Sequence, residues 1–501
     1  MPKSLKIAAI HLAVDYGHNS INRQNIVELA CQAADNGASI VVAPEMSLTG
    51  YCFENRDAIA PFTEAVDGPS GKEFSRVSQE KKIYLIAAFA ERVPETGIFY
   101  NAAFVWDPEG KLVCHYRKIN AESRWACPGE PKQNNIFQTP WGKAGLLICS
   151  DSYHSLPTRV TALKGADIVF LPANWPPTHK FPENIWKFRA LENGIYFVAV
   201  NRTGREETFD CTKSVSYIIR PDGEIISSAS GPDSLILEAE LPLDQNGKLA
   251  GSTSREKILK TRKPYIYHRL FATLLFFKNI SGSLKLPDPR PIDTHFISSG
   301  DQNPVDFLEN ISNQLYPVTL TVLPLYPYTD SDLTRLENLS KIHNIMVLTA
   351  TEETETRVHI AITKDGLKKY PYQEDTLQPL VFLGPLAIQL TRKENFLHPE
   401  VALSAAKYGA DLLLAIEKEL SPQDRFRTAM RTIDQLAAGI VSRTGSVVAL
   451  IPEGHVPGRG AYAPAGSYFT YTLDARDLRN KSFQDRIDYE TLFAGGGIKL
   501  V

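Results

Sequence analysis

Apolar positions along the first half of the chain switch between a period of two and a period near 3.6, and each switch marks a new element. Residues 5–13 (LKIAAIHLA) read as a first strand. Residues 22–36 then place Ile26, Leu29, Ala30 and Ala33 on one helical face, with Gly37 as the stop. SIVVAPE (39–45) is an unbroken apolar run, the pattern of a strand covered on both faces. The strand pattern recurs in IYLIAAFAE, NAAFVW, KLVCHYRK, AGLLICSD, ADIVFLPAN and YFVAVNRTG, and ENIWKFRALENG is a helix ended by Gly194. Strands interleaved with helices predict an α/β fold with a helix-covered sheet.

The pattern breaks around residues 245–300, where Gly, Ser, Lys and Pro concentrate, and then starts again. IDTHFIS (292–298) repeats the first strand, and VDFLENISNQL repeats the first helix. VTLTVLPLYPYTD parallels SIVVAPEMSLTGY, which sets Glu45 on Leu325. ITKDGLKKYPYQE parallels PEGKLVCHYRK, with Lys118 on or near Glu374. FLGPLAIQLTRKEN parallels WGKAGLLICSDSYH, with Cys149 on Thr391 or Lys393. YGADLLLAI, the helix SPQDRFRTAMRTIDQLAAG (Ser421 as N-cap, Pro422 at N1) and SRTGSVVALIPEG complete the second series. The expected organisation is a domain over 1–268, a linker over 269–284 and a worn copy of the first domain over 285–501.

Composition narrows the class. At 501 residues the chain is long enough for two domains, and 43% apolar with 22% charged residues is ordinary for a soluble globular protein. A net charge of −3 gives no electrostatic reason to expect nucleic acid or an anionic membrane as partner. No apolar stretch reaches the ~18 residues of a membrane span. The opening MPKSLKIAAIHLAV reads as a strand, not a cleaved leader. Cysteines without metal spacing or a paired framework fit a reducing cytoplasm.

All six cysteines lie at or before residue 211. Cys149 closes the run LLIC, Glu45 closes IVVAPE and Lys118 closes CHYRK. A thiol, a carboxylate and an ammonium at three strand ends form a candidate nucleophile, base and anion stabiliser. A free thiol has a pKa near 8.5, so Cys149 needs Glu45 to take its proton. Lys118 and the Ser150 backbone N–H are candidates for holding an oxyanion. His154 reads as a pocket or surface residue. Tyr51, Asn174 and Trp175 follow strand ends and are candidates for the substrate pocket, with core packing an equal role for Trp175. GPSGKEF (68–74) lacks the first glycine of a phosphate loop, and GRGAYAPAG (458–466) reads as a loop.

PEMSLTGY (44–51), YRKIN (116–120) and LLICSDSYH (146–154), followed by GADIVFLPANW, FRALENGIYFVAVNRTG and TRKPYIYHRL, resemble the nitrilase superfamily of carbon–nitrogen hydrolases, in family order. The resemblance implies tandem four-layer α-β-β-α sandwiches, with Glu45 as general base, Lys118 as oxyanion donor and Cys149 as nucleophile in the first. It implies a second glutamate after the lysine, for which AESRWACPG offers Glu122. The segment SDSYHSLP, with Ser150 and Tyr153, replaces an arginine-containing stretch and is expected to line the pocket. The implied activity is hydrolysis of a non-peptide C–N bond in a small-molecule amide or carbamoyl compound, in preference to a nitrile, with no cofactor and no metal. Acyl transfer to an amine through the same site and a non-catalytic scaffold are the alternatives. Domains of this kind pair through helices, so the second copy is expected to act as an internal pseudo-dimer partner, with room for a further homo-oligomer.

Overall fold

In a computed structural model, residues 4–177, 182–250, 252–271, 280–315, 319–376, 378–450 and 460–481 are described. They divide into two compact units, one running to Arg262 and one from Lys263. The division falls before the 269–284 segment expected as a linker, of which 272–279 lies outside the described residues. Residues 263–265 belong with the second unit because Lys263 pairs with Glu374 and the Tyr265 hydroxyl donates to Asp375 at 2.8 Å.

In the first unit β1 (Ser4–His11), β2 (Ile40–Val42) and β3 (Tyr84–Arg92) run parallel, and β4 (Phe99–Trp106) and β5 (Leu112–Arg117) extend the sheet antiparallel. The other sheet holds β6 (Ile136–Thr139), β7 (Gly142–Leu146), β8 (Ile168–Pro172), β9 (Tyr196–Val200), β10 (Ser216–Ile219) and β11 (Ile225–Ala229). β12 (Leu235–Pro242) returns to pair antiparallel with β1, so the two sheets have the orders β12-β1-β2-β3-β4-β5 and β11-β10-β9-β8-β7-β6. Four of its helices are α1 (Asn19–Asp35), α2 (Pro69–Lys81), α3 (Ser155–Leu163) and α4 (Pro182–Asn193).

The second unit repeats this arrangement strand for strand. Its strands are β13 (Pro291–Ser298), β14 (Leu320–Leu325), β15 (Met346–Glu353), β16 (Thr356–Thr363), β17 (Gly366–Pro371) and β18 (Leu380–Leu383), then β19 (Leu386–Thr391), β20 (Leu412–Ile416), β21 (Ala437–Ser442), β22 (Gly445–Ala449), β23 (Gly460–Pro464) and β24 (Ser467–Asp474). Their orders are β24-β13-β14-β15-β16-β17 and β23-β22-β21-β20-β19-β18. Helices α5 (Pro304–Ile311), α6 (Asp330–His343), α7 (Pro399–Lys407) and α8 (Pro422–Arg431) occupy the places of α1 to α4.

Alternation along the strands produces the four layers. On β14, Leu320 and Val322 join Ile388, Leu412 and Leu414 of the other sheet in the core between the sheets. Leu323 faces the other way, with Val305, Leu308, Leu336 and Leu339 of α5 and α6. Leu413 and Ile440 meet Ala402, Ala405 and Ala406 of α7 on the opposite outer face. The first unit builds its outer core alike, with Ile26, Ala30 and Ala33 of α1 and Phe74 and Val77 of α2 against Ile10, Val41 and Leu85.

Register turns the resemblance of the units into residue pairs. Val42 faces Ile86 as Val322 faces Leu348, which sets Glu45 on Leu325. Ile86 faces Val105 as Leu348 faces Ala361, which sets Asn101 on Arg357. Ala103 faces Tyr116 as His359 faces Tyr370, so Lys118 falls on Tyr372, two residues before Glu374. Gly165-Ala166-Asp167 and Gly409-Ala410-Asp411 lead into β8 and β20 in the same way, both glycines with positive φ. Ala144 then pairs with Ile168 as Ile388 pairs with Leu412, which sets Cys149 on Lys393.

Two local expectations change. The run SIVVAPE pairs as a strand only over Ile40–Val42, and Met46 then enters the left-handed region (φ 51°). GRGAYAPAG is not a loop over its described part, because Gly460–Pro464 is β23, paired antiparallel with β22. Small residues hide its alternation, and a Cβ at Gly460 would stand 2.6 Å from the Val448 carbonyl oxygen. Residues 451–459 and 482–501, expected to end a core strand and the second domain, lie outside the described residues. Among the described residues no helix is long and apolar enough to cross a membrane.

Leu414 is fully buried between the sheets of the second unit. Leu414→Ala should destabilise that unit by about 2–5 kcal/mol, the range for a leucine deleted from a packed core. Urea denaturation followed by far-UV circular dichroism checks this, and an unchanged transition would refute the inter-sheet core.

Candidate active site

Three strand ends of the first unit converge on one buried cluster. Glu45 follows β2, Lys118 follows β5 and Cys149 follows β7 by three residues. Glu45 is fully buried and the Lys118 side chain is 1% exposed. Lys118 Nζ donates to Glu45 Oε1 at 2.7 Å and also pairs with Glu122. The Glu122 side chain is only 7% exposed. It sits four residues after Lys118 in a turn that bends back, and not on the surface where a loop glutamate usually lies.

Two further side chains hold the carboxylates. Asn101 Nδ2 donates to Glu45 Oε1 at 2.7 Å and to Glu122 Oε2 at 3.0 Å. The Tyr51 hydroxyl donates to Glu122 Oε1 at 2.8 Å, and its ring stacks on Phe209 at 5.0 Å. Asn174 Nδ2 donates to the Glu45 backbone oxygen at 3.1 Å. Glu45 Oε2 is buried and takes no hydrogen bond among the described residues, so that oxygen is available to a proton.

Burial sets the protonation states. It raises the Glu45 pKa above the usual carboxylate value; Lys118 pulls it back and Glu122 pushes it up again. For Lys118 burial works against the charge, but Glu122 and Glu45 together outweigh it and hold the ammonium pKa well above the usual lysine value. For Glu122 burial is overcome by Lys118, with hydrogen bonds from Asn101 and Tyr51, and its pKa is lowered. Burial and then the Glu45 carboxylate push the Cys149 thiol up, so the resting cysteine is neutral.

Cys149 has φ 44°, a left-handed conformation that a residue with a Cβ adopts at a cost. The turn is fixed from behind by Asp151. Asp151 accepts from the Tyr116 hydroxyl at 2.8 Å, from the Asn120 N–H at 2.8 Å and from the Ile148 N–H at 3.3 Å. One buried carboxylate thus ties the segment after Lys118 to the turn that carries the cysteine. The Ser150 hydroxyl donates to the Asn120 carbonyl at 3.2 Å and makes the same tie from the other side.

The remaining sequence candidates separate. Trp175 donates its backbone N–H to Asn201 and meets Trp186 edge-on, and it also lines a cavity of about 230 Å³ with Lys213 and Tyr217. Trp175 is packed against Trp186 and borders that cavity, whose lining does not include Glu45, Lys118 or Cys149. Tyr153 is buried, edge-on to the His154 ring, with its carbonyl held by Arg189. His154 is half-buried. No metal-binding group of three His, Cys, Asp or Glu occurs among the described residues.

Sequence reasoning missed Asn101, Asp151 as a tether, and the pair Arg202–Glu206. Glu206 accepts from the backbone N–H of Tyr51 at 3.0 Å and of Cys52 at 2.7 Å, so it sets the loop that aims Tyr51 at Glu122. Arg202 is fully buried and pairs with Glu206. The available signal was polarity inside apolar runs, as with the asparagine of FYNAAFVW.

The sequence of the first unit is similar to those of known proteins. The family model described as carbon-nitrogen hydrolase matches residues 6–250. A nitrilase of Pyrococcus abyssi is 30% identical over 48% of this chain and 90% of its own length. A Pseudomonas protegens protein named hydrolase in pqqF 5'region is 31% identical over 50% of this chain and 86% of its own. The mouse omega-amidase NIT2 is 27% identical over 53% of this chain and 97% of its own. The chain therefore belongs, through its first unit, to the carbon–nitrogen hydrolase family of the nitrilase superfamily.

Proposed function

We propose that the first unit hydrolyses a small amide through a covalent acyl-enzyme on Cys149, with Glu45 as general base, Lys118 as oxyanion donor and Glu122 as the residue that fixes Lys118. The observation that carries this reading is the water-excluded ion cluster of Glu45, Lys118 and Glu122 beside a cysteine in a left-handed turn. Similarity to an omega-amidase and to a nitrilase supports a C–N substrate, and a base with a raised pKa suits the amide route.

In this mechanism Glu45 takes the thiol proton as Cys149 Sγ attacks the carbonyl carbon. The carbonyl π electrons move to oxygen, where the Lys118 ammonium and the Ser150 N–H receive the charge. Collapse breaks the C–N bond, and the amine leaves with the proton from Glu45. Water then gives a proton to Glu45 and attacks the thioester; the acid departs and the sulfur regains its proton. The raised Glu45 pKa makes this carboxylate a stronger base than an exposed glutamate. Tyr51, Tyr153, Asn174 and Trp175 are proposed to shape the pocket.

Cys149→Ser should reduce turnover to background, with circular dichroism unchanged, and near-parental activity in that variant would sink the nucleophile assignment. Glu45→Gln and Lys118→Ala should each lower kcat by at least ~10²-fold, the scale for removing a base or an oxyanion donor. Mass spectrometry of Glu45→Gln after incubation with amide should find an acyl adduct on the Cys149 peptide.

The pH profile has a defined sign. Glu45 must be ionised to take the proton, so kcat/KM should fall on acidification, with a midpoint above the ordinary 4.5 of a glutamate. Lys118 stays charged beyond its ordinary 10.5, so loss of its charge should produce no alkaline decline below about pH 10. An acid limb that persists unchanged in Glu45→Asp and Glu45→Gln would assign the titration to another group.

A further inference from the structure

The duplicated fold supplies its own reference for a second site. In the first unit residues 201–215 join β9 to β10 and include the hairpin Arg205–Glu206 with Phe209–Asp210. In the second unit Arg443 and Thr444 alone join β21 to β22. Asn-Arg-Thr-Gly (201–204) corresponds to Ser-Arg-Thr-Gly (442–445), so Arg443 stands where Arg202 stands. The loop after β2 is shortened too: residues 43–68 precede α2, whereas residues 326–329 precede α6.

The arginine has thus been kept and its carboxylate removed. Arg202 has a fully buried side chain paired with Glu206. Arg443 has no glutamate in that place, and its side chain is 34% exposed. Its carboxylate neighbour within 4 Å among the described residues is Asp301, at 3.6 Å and on a fully exposed side chain. The guanidinium is nonetheless held in position. Nε donates to the Gly300 carbonyl at 2.8 Å, and Cζ lies 5.7 Å from the Tyr326 ring centroid.

Both shortened connections leave space at the carboxyl ends of β14, β20 and β21, where open α/β sheets bind ligands. A cavity of about 570 Å³ opens there, lined by Leu325, Tyr326, Lys418, Arg443 and Thr444 among others. Register makes it the second unit's counterpart of the first unit's site, since Leu325 replaces Glu45 and Lys418 replaces Asn174. Lys418 is paired with the half-exposed Glu352 at 2.8 Å and Arg443 only with the fully exposed Asp301 at 3.6 Å, so Arg443 is the cation whose internal partner a ligand carboxylate displaces most easily. Asp301, Glu352 and Glu419 on the wall disfavour a ligand with several negative charges.

We propose that this cavity binds a small organic molecule carrying a single carboxylate, which meets Arg443 as Glu206 meets Arg202, with its apolar part against Leu325 and Tyr326. The pinned Nε leaves the outer N–H groups of the fork for a carboxylate. The inference does not rest on the chemistry of the first unit.

Isothermal titration calorimetry of the full chain carrying Cys149→Ala, with 3-phenylpropionate as probe and 3-phenylpropanamide as uncharged control, tests it. The acid should show a binding component that depends on Arg443, and any binding of the amide should be independent of Arg443. Arg443→Gln should weaken the acid at least tenfold, and Glu45→Gln should leave it unchanged. Ala465→Glu, at an exposed turn on the cavity rim, should weaken it as well by offering Arg443 an internal carboxylate, and this variant does not disturb the core. Acid binding that survives Arg443→Gln and Ala465→Glu, or that is lost in Glu45→Gln, would overturn the proposal, as would no binding of the acid at all.

Discussion

An ammonium group held out of water between two carboxylates is the interaction to which the first unit is built. Taking each of three charges from water carries a penalty of several kcal/mol, offset only when every group has close partners. Lys118 pairs with both Glu45 and Glu122, Asn101 donates to both carboxylates, and Tyr51 donates to Glu122. The chain brings these groups from β2, β4, β5 and the loops between, so sheet register itself keeps the charges paired. Arg202 and Glu206 extend the same logic outward, because their pair fixes the loop on which Tyr51 rides.

The second unit shows what the fold keeps when the residues at the three site positions change. Its sheet orders, helices and inter-sheet core repeat those of the first. The cluster does not. Leu325, Tyr372 and Lys393 stand at the places of Glu45, Lys118 and Cys149, and a buried Arg357 stands at that of Asn101. Arg357 pairs with Glu417 at 2.8 Å, and Lys393 with Asp424 at 3.3 Å. Each new charge has found its own partner, as burial demands, and none reproduces a base beside a nucleophile. Packing restricts a position to apolar residues or to satisfied polar ones, whereas catalysis restricts it to one side chain.

Much of this was legible in the chain. Residues at strand ends declare themselves, because a charged or reactive side chain after an apolar run has a known place, and Glu45, Lys118 and Cys149 are each of this kind. The four layers follow from the strand and helix periods together with the family resemblance. What sequence hid was partnership across elements. Asn101 is a polar residue within an apolar strand, and nothing local says that it bridges two carboxylates. Glu122 looks like a loop residue until the turn folds it onto Lys118. The lysine position of the second unit, expected on or near Glu374, falls on Tyr372, because hairpin pairing, not similarity of letters, sets the alignment of β16 with β17. The strand at 460–464 was missed because Gly and Ala carry little of the alternation by which strands are recognised.

The return of β12 to β1 has a consequence for synthesis on the ribosome. Ser4 pairs with Pro242 and His11 with Leu235, so the first strand waits for a partner made more than two hundred residues later. At roughly 5–20 residues per second, the edge of β1 stays open for about 10–50 seconds after it emerges. Its row of apolar residues (Leu5, Ile7, Ile10) and unpaired backbone groups is during that time a template for another nascent strand. The second unit repeats the delay on a shorter scale, since Pro291 waits for Asp474. In both units the outer edge of the first strand is therefore covered only once the last strand of the unit has been made.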